Sequence, residues 1–268
     1  MAGGGKSRHA RLRVRSVGPE PSASVGHAGH NAGPTETVTV LVRRSATSNE
    51  DRFVIRRQPR MKVLDLLVAI QRDHDPSLAF RYSCRVAMCG TCALRMDGTA
   101  GLACQTAVPD HLREVHLAPL AGLPVLRDLV VDVAPFFARW AAVTPYLVPH
   151  PGATAPARVR PDSPERQVID PALDCITCGI CYSACSVSED GRDFLGPAAL
   201  NRAMVLIADS RDASRSERLA RIGNLDGVDR CHYIGGCTSC CPKDLDPFGA
   251  IRQLRRWRLT GIQGIPTP

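Results

Sequence analysis

Residues 84–104 read Cys-Arg-Val-Ala-Met-Cys-Gly-Thr-Cys-Ala-Leu-Arg-Met-Asp-Gly-Thr-Ala-Gly-Leu-Ala-Cys. Cys84, Cys89, Cys92 and Cys104 are spaced C-x4-C-x2-C-x11-C. This is the plant-type ferredoxin spacing for a [2Fe–2S] cluster, with a shortened final gap. Such a cluster needs soft thiolate ligands that converge on a compact core. Ala87 and Gly90 fall in the short gaps. Small residues there let the loop wrap closely and turn backbone N–H groups towards the sulfurs, which raises the reduction potential.

The flanking sequence supplies a frame for this loop. Val38, Val40 and Val42 alternate with Thr37, Thr39 and Leu41, a strand pattern. Residues 45–51 are turn-like, and Arg52–Arg57, with Phe53 and Ile55, read as the hairpin partner. Val63, Leu64, Leu67 and Ile70 recur at helical spacing until Asp75-Pro76. Short strands follow at Leu94–Met96 and Leu102–Ala103. Strand, strand, helix, cysteine loop and short strands are the order of a β-grasp ferredoxin domain, expected over residues 37–129.

Two more cysteine runs follow. Cys175, Cys178, Cys181 and Cys185 read C-x2-C-x2-C-x3-C, the bacterial ferredoxin run. Cys231, Cys237 and Cys241, followed by Pro242, read as the same run with Ile234 in place of its second cysteine. In two-cluster ferredoxins the fourth cysteine of each run ligates the other cluster. Cys175, Cys178, Cys181 and Cys241 would then hold [4Fe–4S]. Cys185, Cys231 and Cys237 would hold a cluster with one corner vacant, which favours [3Fe–4S]. A four-cysteine zinc site is the competing reading of paired C-x2-C motifs, but it leaves the third cysteine of the 175 run and Pro242 unexplained. Cys240 fits no ligand position and is expected to be a small buried residue pointing elsewhere.

The rest of the chain is read as an all-α domain over residues 130–268. It opens with a connecting helix over 130–148 and a Pro- and Arg-rich linker from Pro149 to Pro171. Helices are predicted at Leu195–Ile207, Ser216–Ile222 and Pro247–Leu259. The fold class is thus α+β, a β-grasp [2Fe–2S] domain followed by a helical, bacterial-ferredoxin-like one. Residues 1–36 are Gly-, Ser-, Pro- and Arg-rich with only Glu20 and Glu36 acidic, and are expected to be a disordered tail. An organelle transit peptide is the alternative.

Bulk properties narrow the function. The formal charge is +8. Eleven cluster thiolates against oxidised cores of about five positive charges would remove about six of those units. The loaded protein would be nearly neutral, and no nucleic-acid partner is expected. No stretch of about eighteen apolar residues occurs, so no transmembrane segment is predicted. Without a secretory h-region after Met1, twelve cysteines point to a reducing compartment rather than to disulfides.

These motifs resemble the iron–sulfur subunits of succinate dehydrogenases and fumarate reductases. The resemblance spans about residues 37–260. It rests on Arg81–Cys92, Leu102–Thr106, Arg127–Asp132, Cys175–Cys185, Gly196–Ala199 and Cys231–Lys243, and it looks closer to bacterial fumarate reductases. It implies a heteromeric complex, with FAD in a flavoprotein partner and quinone at membrane-anchor subunits. This chain would relay single electrons through [2Fe–2S], [4Fe–4S] and [3Fe–4S] without binding the dicarboxylate itself, so no catalytic residue is expected. It would sit peripherally on the cytoplasmic face of a bacterial inner membrane, held by its partners. His232, Arg252 and Arg255 match positions near quinone in some members. Ser186 stands where the family usually has proline, and Val187–Gly191 lacks the tryptophan many succinate dehydrogenases use at quinone. A subunit of another flavin-linked oxidoreductase and a free ferredoxin-type carrier are the competing functions. The Arg127–Asp132 connector and the fused cluster regions speak against the free carrier.

Overall fold

The computed structural model describes residues 36–44, 50–154, 157–189, 193–224 and 226–262. The tail expected over residues 1–36 lies outside the described residues apart from Glu36.

The first half is a five-stranded sheet crossed by a helix. Strands β1 (Thr37–Arg43) and β2 (Glu50–Arg56) pair antiparallel, with Thr37 opposite Arg56. Val38, Val40 and Val42 are fully buried, as the alternation demands. Helix α1 (Val63–Asp73) buries Val63, Leu64, Leu66, Leu67 and Ile70. The Asp65 carboxylate accepts from the Lys62 backbone N–H at 2.8 Å, closing its first turn. Strands β3 (Ala93–Met96) and β4 (Thr99–Leu102) form a hairpin around Asp97-Gly98, both at positive φ, as a tight primed turn requires.

Strand β5 (Glu114–Ala118) has no counterpart in the sequence reading. It runs parallel to β1 and antiparallel to β3, giving the sheet order β2-β1-β5-β3-β4. Its buried residues, Val115, Leu117 and Ala118, are too few to stand out as a pattern. The parallel β1–β5 pair at the centre makes the sheet a β-grasp.

Strands β6 (Val125–Arg127) and β7 (Val130–Val131) form a second small sheet. Asp128, at its turn, is buried. It takes hydrogen bonds from Arg44 Nε at 3.2 Å and the Ala79 N–H at 2.8 Å. Arg44 also donates to Asp75 at 2.6 Å. The Arg127–Asp132 motif therefore clasps this hairpin to the end of α1. Asp132 accepts from the Ala134 N–H at 2.9 Å and opens the next helix.

The helix expected over 130–148 is shorter: α2 is Ala134–Ala142. Val130 and Val131 are consumed by the hairpin, and Pro145 and Pro149 forbid a long continuation. The Pro149–Pro171 linker is corrected more substantially, because α3 occupies Pro164–Leu173. Ser163 caps it, its hydroxyl accepting from the Arg166 N–H at 3.2 Å, and Pro164 fills the first turn. Ser-Pro-Glu was a readable helix start. The interior Pro171 hid it.

Short helix α4 (Ile180–Ser183) lies within the second cysteine run, and α5 (Ser186–Glu189) follows it. Helix α6 (Gly196–Ala208) comes next, then α7 (Arg215–Ile222), a 3-10 turn at Val228–Arg230, α8 (Gly236–Ser239) and α9 (Pro247–Thr260). Helices α6, α7 and α9 fall where the periodicity puts them. Nearly all of α6 is buried, making it the hub of the helical core with Ile251, Leu254 and Trp257 of α9. Buried Arg218 pairs with buried Asp212 at 2.9 Å and donates to the Val143 and Tyr146 carbonyls, tying α7 to the chain leaving α2.

The two cores meet at α4. Ile180 and Tyr182 are buried within the β-grasp core. Ser183 Oγ accepts from the Ala121 N–H at 2.8 Å, and Tyr182 stacks edge-on against Phe136 of α2.

Candidate metal centres

The first loop hangs between α1 and β3. Arg85, Ala87 and Gly90 all take positive φ, winding the chain tightly. The Val86 and Met88 N–H groups consequently point at Cys84 Sγ, at 3.4 and 3.3 Å. Cys89 Sγ lies 3.1 Å from Thr91 Oγ1. The Thr91 hydroxyl, with nearby N–H groups, holds the Cys89 thiol down at about 6. Burial pushes Cys92 up to about 11. Cys92 and Cys104 are buried while Cys84 and Cys89 are half-exposed. The Ala103 N–H bonds to the Cys92 carbonyl at 3.1 Å, which brings Cys104 back to the loop.

The second and third runs interlock. Cys175, Cys178, Cys181 and Cys241 line one cavity, roofed by Ala198, Asn201 and Leu245. Cys185, Cys231 and Cys237 line another, with Ile234, His232, Tyr233 and Phe248 in its wall. The fourth cysteine of each run thus sits with the other run's first members. Burial raises Cys178 and Cys237 to about 11 each, and raises Cys181 as well. Before iron binds these thiols are protonated; a bound cation reverses that by deprotonating its thiol ligands.

The donor set fits iron–sulfur clusters. The thiols surround apolar cavities instead of closing on a point. Among the described residues, no three His, Cys, Asp or Glu side chains converge tightly enough for a single ion. A zinc ion needs its thiolates at about 2.3 Å from one centre. A polynuclear core holds them further apart.

Ile234 lines the third cavity but is 73% exposed. Cys240 is half-buried. Its thiol reaches the Cys237 carbonyl at 3.6 Å, and burial pushes it up to about 12. His232 is exposed and lines the third cavity. Arg255 donates to Tyr233 Oη at 2.8 Å and lies 5.2 Å over that ring. Arg252 lies 5.7 Å from the Phe248 ring centroid. The cavity wall therefore gathers His232 directly, Arg255 through Tyr233 and Arg252 through Phe248.

Three contributors had no sequence signal of their own. Asn201 lines the second cavity and donates to the Ala172 carbonyl at 3.0 Å, and its buried carbonyl oxygen has no partner among the described residues. Half-buried Arg202 donates to the Pro145 carbonyl at 2.9 Å. Burial raises the Cys175 thiol while the Arg202 charge opposes that rise. Thr91 was legible only as a filler between ligands.

Comparison with known proteins agrees with this geometry. Residues 39–138 match the 2Fe-2S iron-sulfur cluster binding domain, and residues 171–245 match the 4Fe-4S dicluster domain. The succinate dehydrogenase iron-sulfur subunit of Paracoccus denitrificans is 39% identical over 75% of this chain and 77% of its own length. The fumarate reductase iron-sulfur subunit of Haemophilus influenzae is 35% identical over 71% of this chain and 79% of its own. A chain of the Mycobacterium smegmatis Sdh1 complex in the apo form superposes with a TM-score of 0.75. It covers 84% of this chain and 97% of that one at 24% identity, a likeness of fold. Three thiol-lined sites on a β-grasp sheet and a helical core, with relatives matched over more than three quarters of their own length, place the chain in the succinate dehydrogenase and fumarate reductase iron–sulfur subunit family.

Proposed function

We propose that the chain is a three-station relay for single electrons within a succinate:quinone or quinol:fumarate oxidoreductase. Cys84, Cys89, Cys92 and Cys104 hold [2Fe–2S]. Cys175, Cys178, Cys181 and Cys241 hold [4Fe–4S], and Cys185, Cys231 and Cys237 hold [3Fe–4S]. The observation that carries this reading is the exchange of fourth cysteines: Cys241 lines the cavity of the 175 run, and Cys185 lines that of the 231 run. When bound, the clusters supply one-electron redox steps at potentials set by cluster type, charge, hydrogen bonds and exposure.

The residues of this chain set those conditions. The Val86 and Met88 N–H groups and the Thr91 hydroxyl stabilise the thiolates of the first loop. Leu245, Ala198 and Ile176 keep water from the second cavity. Around the first loop, Tyr82, Val86 and Met88 are exposed, an apolar surface suited to the FAD-bearing flavoprotein subunit. At the other end the third cavity opens beside Ile234, where the membrane-anchor subunits present quinone. His232 in the cavity wall, Arg255 on Tyr233 and Arg252 on Phe248 are the side chains of this chain that would meet it.

None of the described helices is long and apolar enough to cross a membrane. The chain is held peripherally by its partners, on the cytoplasmic face of a bacterial inner membrane. The test is to add succinate to the anaerobic, oxidised complex and follow the visible bleaching of its iron–sulfur absorbance, then add a quinone analogue. Bleaching by succinate and recovery with quinone are expected. A complex that bleaches only with dithionite would contradict the assignment.

A further inference from the structure

Gly90 belongs to the first loop but is packed against the second. It is buried between Cys89 and Thr91. A methyl group on its Cα would stand 2.6 Å from Cys178 Cβ, 2.8 Å from Cys178 Cα and 3.3 Å from the Ile176 carbonyl oxygen. Two of those three atoms are main chain and cannot swing aside. The seam is walled by Leu120, Leu129 and Val131, and the Ala121–Ser183 hydrogen bond clamps it from one side. A side chain here therefore has to push one loop away from the other.

We propose that Gly90 sets the spacing between the first two cluster sites. It is a positioning residue that brings the main chain beside ligand Cys89 into contact with ligand Cys178. This rests on the assignment of those cysteines as cluster ligands. Glycine is the residue that lets two backbones approach this closely. Any side chain would force the loops apart, and electron transfer between redox centres weakens steeply with separation.

Gly90 also has φ of +72°, which by itself favours glycine. Gly98, in the β3–β4 turn, separates the two reasons. Its φ is +81°, and nothing lies within 4 Å of where its Cβ would be. Gly98→Ala carries the backbone strain without the collision.

The experiment uses the intact complex as parent, Gly90→Ala and Gly98→Ala. Iron counting and reduced-state electron paramagnetic resonance first establish that [2Fe–2S] and [4Fe–4S] are present in each. The spin relaxation of the [2Fe–2S] signal is then measured with the [4Fe–4S] cluster oxidised and reduced. In the parent and in Gly98→Ala, reducing the second cluster should speed that relaxation. In Gly90→Ala part of this enhancement should be lost while both signals persist. Parental enhancement in Gly90→Ala would overturn the proposal. If Gly90→Ala does not assemble, the parent decides: relaxation indifferent to the second cluster's redox state would overturn it. A parent lacking either signal would instead bring down the ligand assignment beneath it.

Discussion

Residues 175–185 and 231–241 follow the same path. Thr177 and Tyr233 take φ of 50° and 62°, and Gly179 and Gly235 take 78° and 81°. The one-turn helices α4 and α8 follow at matching positions. Aligned this way, Cys175, Cys181 and Cys185 match Cys231, Cys237 and Cys241, Cys178 matches Ile234, and Ala184 matches Cys240. A common backbone is thus dressed differently at one corner. That corner of the 175 loop is a cysteine whose Cα and Cβ pack against Gly90 of the [2Fe–2S] loop. That corner of the 231 loop is an isoleucine turned largely to the outside. The 175 loop carries four cysteines, and the 231 loop carries three with an apolar side chain at the remaining corner. On the proposed ligand assignment, one scaffold used twice would hold two cluster types because one side chain differs.

The comparison breaks most severely if Cys178 is replaced by isoleucine, which makes the first loop like the second. The [4Fe–4S] signal should vanish and iron should fall by at least about one atom per chain, read by iron analysis and reduced-state resonance. Retention of a four-iron signal would mean that Cys178 is not a ligand. The reverse exchange, Ile234→Cys, restores the thiol to the second loop. It should abolish the oxidised-state three-iron signal, add about one iron per chain and slow quinone reduction. An unchanged oxidised spectrum with parental turnover would sink the vacancy argument.

The shared backbone can be probed at its glycines. Gly179→Ala and Gly235→Ala each place a side chain at positive φ, at about 1–2 kcal/mol apiece. The two should lower the thermal midpoint of the complex by similar amounts. A second loop indifferent to Gly235→Ala would mean that its backbone is not under the same constraint. The smallest effect is expected for Cys240→Ala, which copies Ala184. All three clusters should persist in iron counts and spectra, with a stability loss of about 1 kcal/mol or less. Loss of any cluster would make Cys240 a ligand.

Much of this was legible before the structure, because the chemistry is written in short spacings. The three cysteine runs, the β1–β2 hairpin, α1 and the three longer helices all follow from local pattern. What escaped depends on long-range packing. Strand β5 is recognisable only by its parallel pairing with β1. Asp128 reads as a surface acid until Arg44 and Ala79 are seen to enclose it. Asn201 and Arg202 sit on a helix buried for other reasons, and only the fold brings them beside the 175 run. Gly90 had a local explanation, the tightness of its own loop. Its contact with Cys178, 88 positions along the chain, belongs to tertiary structure.

The central claim is that one four-ligand and one three-ligand site alternate on this pair of loops behind a [2Fe–2S] site. The most direct test is electron paramagnetic resonance with iron counting on the anaerobically purified complex, air-oxidised and then reduced with succinate and with dithionite. About nine irons per chain are predicted. A signal in the oxidised state should come from the odd-electron three-iron core, and [2Fe–2S] and [4Fe–4S] signals should appear on reduction. About ten irons with two four-iron signals and a silent oxidised state would contradict it, because another residue would then complete the site beside Ile234.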